Sequence, residues 1–125
     1  MRVLADTHAL VWALSDPDLL SAPASRVLAE SEVTVSVASL WELILKSGKK
    51  DALLQDPLPW WAKYIGQAGV PTLAIRTPHV MALGHLPELH NDPFDRILVA
   101  QAIVERMPLV TKDGRLQQYG VVTIW

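Results

Sequence analysis

The sequence predicts an α/β domain with a mostly parallel central sheet and helices on both faces. Three observations lead to this class. Short apolar or β-branched runs alternate with longer amphipathic ones along the chain. Pro23, Pro57, Pro78 and Pro93 each follow a turn or cap residue and open a periodic stretch, where proline favours a helix start. Half of the 125 residues are hydrophobic, which is enough for a core and too many for a disordered chain. That length suits one domain spanning 1–125.

The elements follow in order. Arg2–Asp6 is a short apolar strand ending in an acid, and Thr7–Leu14 is a helix. The longest apolar run, Ala9–Leu14, lies far short of the ~20 residues a membrane span needs. Pro23–Glu30 is a second helix, and the β-branched Val33–Val37 is a buried strand. Ala38–Ser47 is amphipathic, with Leu40, Trp41, Ile44 and Leu45 apolar. Ser36 is its better cap, which places Ser39 and Glu42 inside the helix. Pro57–Ala68 is a helix capped by Asp56, Thr72–Ile75 a strand, and Pro78–Leu83 a helix capped by Thr77. Pro93–Met107 is the strongest helix, capped by Asp92. Leu109–Thr111 is the fourth strand, Gly114–Gln118 a short helix and Val121–Ile124 the last strand. In such a sheet the crossovers are right-handed, and the binding crevice lies beyond the carboxyl ends of the strands.

Composition narrows the chemistry. The absence of cysteine removes disulfides, thiolate nucleophiles and Cys-type zinc sites. Eleven basic against thirteen acidic residues leave a net charge of −2, too little positive charge to hold nucleic acid by bulk attraction. A polyanion substrate would need a bound cation to offset the acids. The opening MRVLADTHAL carries an acid and a histidine and no small-residue cleavage site, so a cytoplasmic chain is expected.

The acids gather where the crevice is expected. Asp6 ends the first strand, Glu42 sits in the helix after the second, and Asp113 follows the fourth. Asp92 and Asp95 flank Pro93 and Phe94 at the start of the long helix. Clustered carboxylates raise one another's pKa unless a cation sits among them. Oxygen donors without cysteine suit Mg²⁺ or Mn²⁺. Each acid also has a plainer reading. Asp6 and Asp92 are helix caps, Glu42 pairs with Lys46 one turn on, and Asp113 opens a turn with Gly114. Asp95 is the exception. The polar stripe of its helix runs through Gln101 and Glu105, and Asp95 lies off it beside Leu98, Val99 and Ala102. A carboxylate on an apolar face needs a partner.

MRVLADTHALVWAL, SVASLWELILK, HNDPFDRILVAQA and LVTKDGRLQQYGV, in this order and over nearly the whole chain, resemble the PIN-domain ribonucleases. Within them the closest group is the VapC-type toxins of bacterial toxin–antitoxin pairs. DPFDR followed by LVTKD is the most specific part. The resemblance implies a PIN-like fold and Mg²⁺- or Mn²⁺-dependent endoribonuclease activity. It implies a metal site of Asp6, Glu42, Asp95 and Asp113, with Thr111 as a supporting donor. It also implies an antitoxin protein bound over the early helices, and a homodimer. Lys46, Lys49 and Lys50, with Arg96, Lys112 and Arg115 nearer the acids, are candidates for the RNA backbone. The cluster at 46–50 reads equally as a solvated helix end.

The remaining residues divide between structure and function. His79 and His85 read as structural or solvated, while His8 and His90 have a lesser claim to the crevice. Trp12 and Trp41 are assigned to the core. Trp60 and Trp61 are adjacent, so one of them is exposed or in an interface, or both are covered within the chain. A receiver-type signalling domain needs an acid directly after a central strand, and VTVSV ends without one. An aspartyl phosphotransferase needs a second acid just beyond Asp6, where Thr7 and His8 stand. The non-enzyme alternative is a catalytically inactive PIN-like protein-interaction module.

Overall fold

A computed structural model describes residues 1–125. Five strands, β1 (Arg2–Ala5), β2 (Glu32–Ser36), β3 (Thr72–Leu73), β4 (Leu109–Val110) and β5 (Thr123–Ile124), form one parallel sheet in the order β3-β2-β1-β4-β5. The helices are α1 (Thr7–Ser15), α2 (Ala22–Glu30), α3 (Val37–Lys46), α4 (Pro57–Trp61), α5 (Thr77–His85) and α6 (Pro93–Glu105). Short 3₁₀ turns cover Pro17–Leu19 and Gly114–Tyr119. No helix is long and apolar enough to cross a membrane.

The alternation of side chains along β1 explains the two layers of helix. Leu4 points to a core built with Ala38 of α3, Leu98 and Ala102 of α6, and Leu116. Val3 and Ala5 point the other way, to Ala9 and Leu10 of α1, Ala24 of α2 and Ile65. Residues 3–5 are fully buried, so the central strand is apolar on both faces, as expected for a parallel sheet covered on each side. The strand order reverses between β1 and β4, and Asp6 and Asp113 follow those two strands.

Several local expectations are corrected. Helix α2 begins one residue early: Ser21 accepts the Ala24 N–H at 3.1 Å, and Pro23 takes the second position. Asp56 occupies the cap position of α4 without a side-chain bond. Helix α4 continues as a π-helix over Ala62–Gln67, so the stretch expected as one α-helix changes its hydrogen bonding midway. Thr77 does not cap α5, because Arg76 holds the cap position and donates its N–H to His79 Nδ1 at 3.0 Å. That bond leaves the ring proton on Nε2, which faces Glu105 Oε2 at 2.9 Å.

Gln101 does not lie on a solvated stripe. It is fully buried, bonded to Ser36 Oγ at 2.5 Å and donating to the Ala74 carbonyl at 3.2 Å. Helix α6 is buried on nearly every side, and its one internal amide ties β2 to the segment before α5.

Trp41 is not a core residue. The inner face of α3 is Ala38, Ser39, Glu42 and Leu43, while Trp41 is 56% exposed beside the exposed Ile44 and Leu45. Trp12 is half-buried between His8 and Trp125 rather than enclosed. Trp60 and Trp61 are both half-buried against the Leu10–Ile65 core, with Trp60 Nε1 donating to Ser15 Oγ at 3.0 Å.

Candidate active site

The carboxyl edge of the sheet carries a cavity of about 350 Å³. Asp6, Glu42, Asp92, Asp95 and Asp113 line it, along with Lys46 and Lys112. Four elements supply these acids, and each is placed by its own local bonds.

Asp6 turns the chain from β1 into α1. Its N–H donates to the Val110 carbonyl of β4 at 3.0 Å, and its Oδ1 accepts the Ala9 N–H at 2.8 Å. The cap reading and the crevice reading therefore hold together: one carboxylate oxygen starts the helix while the residue lines the cavity. Burial pushes the Asp6 carboxyl up from its usual range, offset in part by hydrogen bonds from Thr111 and Ala9. Thr111 is buried and also accepts the Asp113 N–H at 3.1 Å, so one hydroxyl serves both strand ends.

Glu42 is 5% exposed on the inner face of α3. The Thr7 hydroxyl donates to its Oε1 at 2.5 Å and lies 3.0 Å from Ser39 Oγ. Lys46 Nζ donates to its Oε2 at 2.6 Å. Burial alone would lower the Lys46 ammonium, but the hydrogen bond and charge of Glu42 outweigh it and leave it raised.

Asp95 stands in the first turn of α6, behind the cap made by Asp92 to the N–H groups of Phe94 (2.9 Å) and Asp95 (3.4 Å). Its carboxyl is pushed up to about 7 by burial, with the charges of Asp92, Asp6 and Glu42 adding to the effect. Asp113 is held the opposite way. Arg115 grips both of its oxygens, Nε to Oδ1 at 2.9 Å and Nη2 to Oδ2 at 2.8 Å, and lowers its carboxyl to about 2.

His90 joins the acids. Its Nδ1 accepts the Asp92 N–H at 3.0 Å, which leaves the proton on Nε2. Nε2 lies 3.5 Å from Asp95 Oδ2 and 3.3 Å from Asp113 Oδ2. The ligand-type atoms of His90, Asp95 and Asp113 all fall within 4.8 Å of one another, a spacing open to a metal ion. Sequence reasoning ranked His90 low because nothing periodic links it to the acids; its use as an acceptor for the neighbouring cap residue brings it in. Thr7 belongs to the site as well, and a hydroxyl directly after a strand-ending acid is its signal in the sequence.

Other residues are placed differently. His8 is exposed and lines the cavity rim. Arg96 points away, donating to the Pro87 carbonyl at 2.8 Å and to Tyr119 Oη at 3.3 Å. It borders a neighbouring hollow with His90 and Pro93. Lys49 lines a second cavity beside the first, whereas Lys50 is exposed and lines neither.

The donor set fits a divalent cation. Asp6, Asp95, Asp113 and Glu42 offer hard oxygen atoms, which suit Mg²⁺ and Mn²⁺. Burial and the neighbouring acids together raise the Asp95 carboxyl, and a bound cation would favour its ionised form. Lys46, His90 and Arg115 supply part of that charge from the chain itself.

The pattern of the PIN domain matches residues 3–122. Ribonuclease VapC22 of Mycobacterium tuberculosis is 34% identical over 129 aligned residues, covering 98% of each chain. Among solved structures, FitAcB from Neisseria gonorrhoeae superposes with a TM-score of 0.70 at 17% identity, covering 98% of this chain and 96% of that one. VapBC2 from Rickettsia felis, bound to a DNA fragment from its promoter, superposes at 0.67 with 18% identity, covering 98% and 97%.

Proposed function

This chain belongs to the PIN-domain family, and from that premise we propose that it is a metal-dependent endoribonuclease, the toxin of a toxin–antitoxin pair. The observation that carries this reading is the convergence of Asp6, Glu42, Asp95 and Asp113 on one cavity at the reversal of strand order. The 125 residues form one PIN domain in this reading, acting in the cytoplasm.

Asp6, Asp95 and Asp113 would hold Mg²⁺ or Mn²⁺, and Glu42 would complete the set or orient the attacking water. The ion, when bound, lowers the pKa of that water and neutralises charge on the phosphate. Thr111 keeps Asp6 and Asp113 in register. Thr7 and Lys46 hold the two oxygens of Glu42. Lys46 and Lys112 flank the cavity and attract the RNA backbone, with Arg96 on the adjoining hollow.

The family reading extends to partners. An apolar hollow lined by Leu10, Leu14, Leu20 and Leu28 lies over the early helices and suits a segment of the antitoxin. The exposed Trp41, Ile44 and Leu45 of α3 suit a second copy of this chain.

The test is cleavage of a mixed RNA pool with Mg²⁺, with Mn²⁺ and with chelator, beside Asp95→Asn. Metal-dependent cutting that the variant lacks is expected. Equal cutting by the variant would overturn the assignment, and a folded, metal-binding protein that neither cuts RNA nor arrests growth on expression would be an interaction module.

A further inference from the structure

A second cavity, of about 270 Å³, lies against the acid cavity. The two share Thr7, His8, Glu42 and Lys46, so they are one trough divided by a partition. The second falls below the roughly 300–1,000 Å³ of pockets for drug-sized ligands, which suits a single planar base.

Its far wall is the loop after α3. Gly48 turns the chain at φ +80°, a conformation that favours glycine. The Lys49 carbonyl then accepts the Ala52 N–H at 3.2 Å and the Gln55 side-chain amide at 3.0 Å. Three kinds of group face the cavity as a result. Leu43, Ala52 and Leu53 form an apolar wall for the face of a ring. Lys46 and Lys49 bring positive charge for the adjoining backbone, and Asp51 brings an exposed carboxylate.

Resting on the ribonuclease reading above, we propose that this cavity seats the base flanking the scissile phosphate and that Asp51 selects guanine there. The two cavities adjoin, so an RNA strand whose phosphate lies over the acids and that runs toward α3 places a neighbouring nucleotide across the shared partition. Single-stranded RNA is read through splayed bases and their Watson–Crick edges. An ionised carboxylate is an acceptor with two oxygens and no donor. Guanine presents two adjacent donors, its ring N–H and its amino group, and takes both oxygens. Adenine and cytosine offer one amino group each. Uracil flanks its single N–H with two carbonyl oxygens that repel the carboxylate, so it ranks last.

The experiment uses Mn²⁺-loaded protein and short single-stranded RNAs that differ only in the base on one side, then the other, of the cut. Wild type is expected to favour guanine over uracil on one side by roughly tenfold in kcat/KM, the scale of a paired base contact. Asp51→Asn flattens that preference while the Mn²⁺-induced rise in melting temperature stays the same. Leu53→Trp, which fills the cavity, slows cleavage of every RNA in the set. A profile that Asp51→Asn leaves intact, or one that is flat or favours uracil in wild type, overturns the inference and leaves the ribonuclease reading standing. Failure to cut any RNA of the set with Mn²⁺ bound overturns the inference, and joined with no growth arrest on expression it overturns the ribonuclease reading as well.

Discussion

The Thr7 hydroxyl donates to Glu42 Oε1 at 2.5 Å, joining the first turn of α1 to the buried face of α3. Glu42 is nearly enclosed, and only Thr7 and Lys46 bond its oxygens. Its placement therefore depends on a residue that carries no charge. Thr7→Val removes the donor and leaves a buried carboxylate oxygen without a partner, at a cost of about 1–3 kcal/mol. The variant is expected to melt earlier and to lose most metal-dependent cleavage. Thr7→Ser keeps the hydroxyl and restores both. Thermal melts and RNA cleavage of the pair check this, and equal behaviour of the Val and Ser variants would show that the bond has no role.

Arg115 competes for the oxygens an ion would take. It holds both oxygens of Asp113 in a two-pronged grip, although its own side chain is exposed. Arg115→Gln releases Asp113 and lets its carboxyl rise from about 2 toward the ordinary range. Ion binding no longer has to displace a guanidinium, so Mn²⁺ binds more tightly to the variant. Calorimetric titration with Mn²⁺ reads this directly; weaker binding would mean that Arg115 positions the site rather than occupying it.

The acids also set the dependence of stability on pH. The Asp95 carboxyl lies near 7 in the folded chain against 3.8 when free, so the folded state holds the extra proton between those values. Stability from this group is present below about 4 and is lost as pH rises toward 7. Asp6 is raised too and acts in the same direction. Asp113 acts oppositely, its contribution being lost only as pH falls from 3.8 toward about 2. In chelator, the melting temperature is expected to fall between pH 5 and pH 8, and Asp95→Asn flattens that fall. Added Mn²⁺ favours the ionised acids, so its stabilising effect grows over the same range. A Mn²⁺ effect that shrinks with rising pH would contradict the placement of the ion among these carboxylates.

The layers of the fold were legible because their signals are local. β1 announced itself by an apolar run closed by an acid, and α6 by a cap followed by proline. The acids at the strand ends were legible for the same reason. The extent and cap of helix α3 were legible but its facing was not, because its most apolar residues point outward and its inner face holds Ser39 and Glu42. A polar inner face makes sense only once Thr7 arrives from another helix. Gln101 misled in the same way: its partners Ser36 and Ala74 lie far away in sequence, so it looked like a surface residue. His90 reaches Asp113 through a loop that no periodicity describes.

The adjacency of β1 and β4 has a consequence for the life of the nascent chain. Asp6 leaves the ribosome well before Asp113, yet their strands lie side by side. A chain still under synthesis through α5 carries Asp6 and Glu42 but neither Asp95 nor Asp113. The acid cavity is therefore incomplete until β4 and the turn after it have been made, and in the ribonuclease reading cleavage is withheld from the ribosome until then.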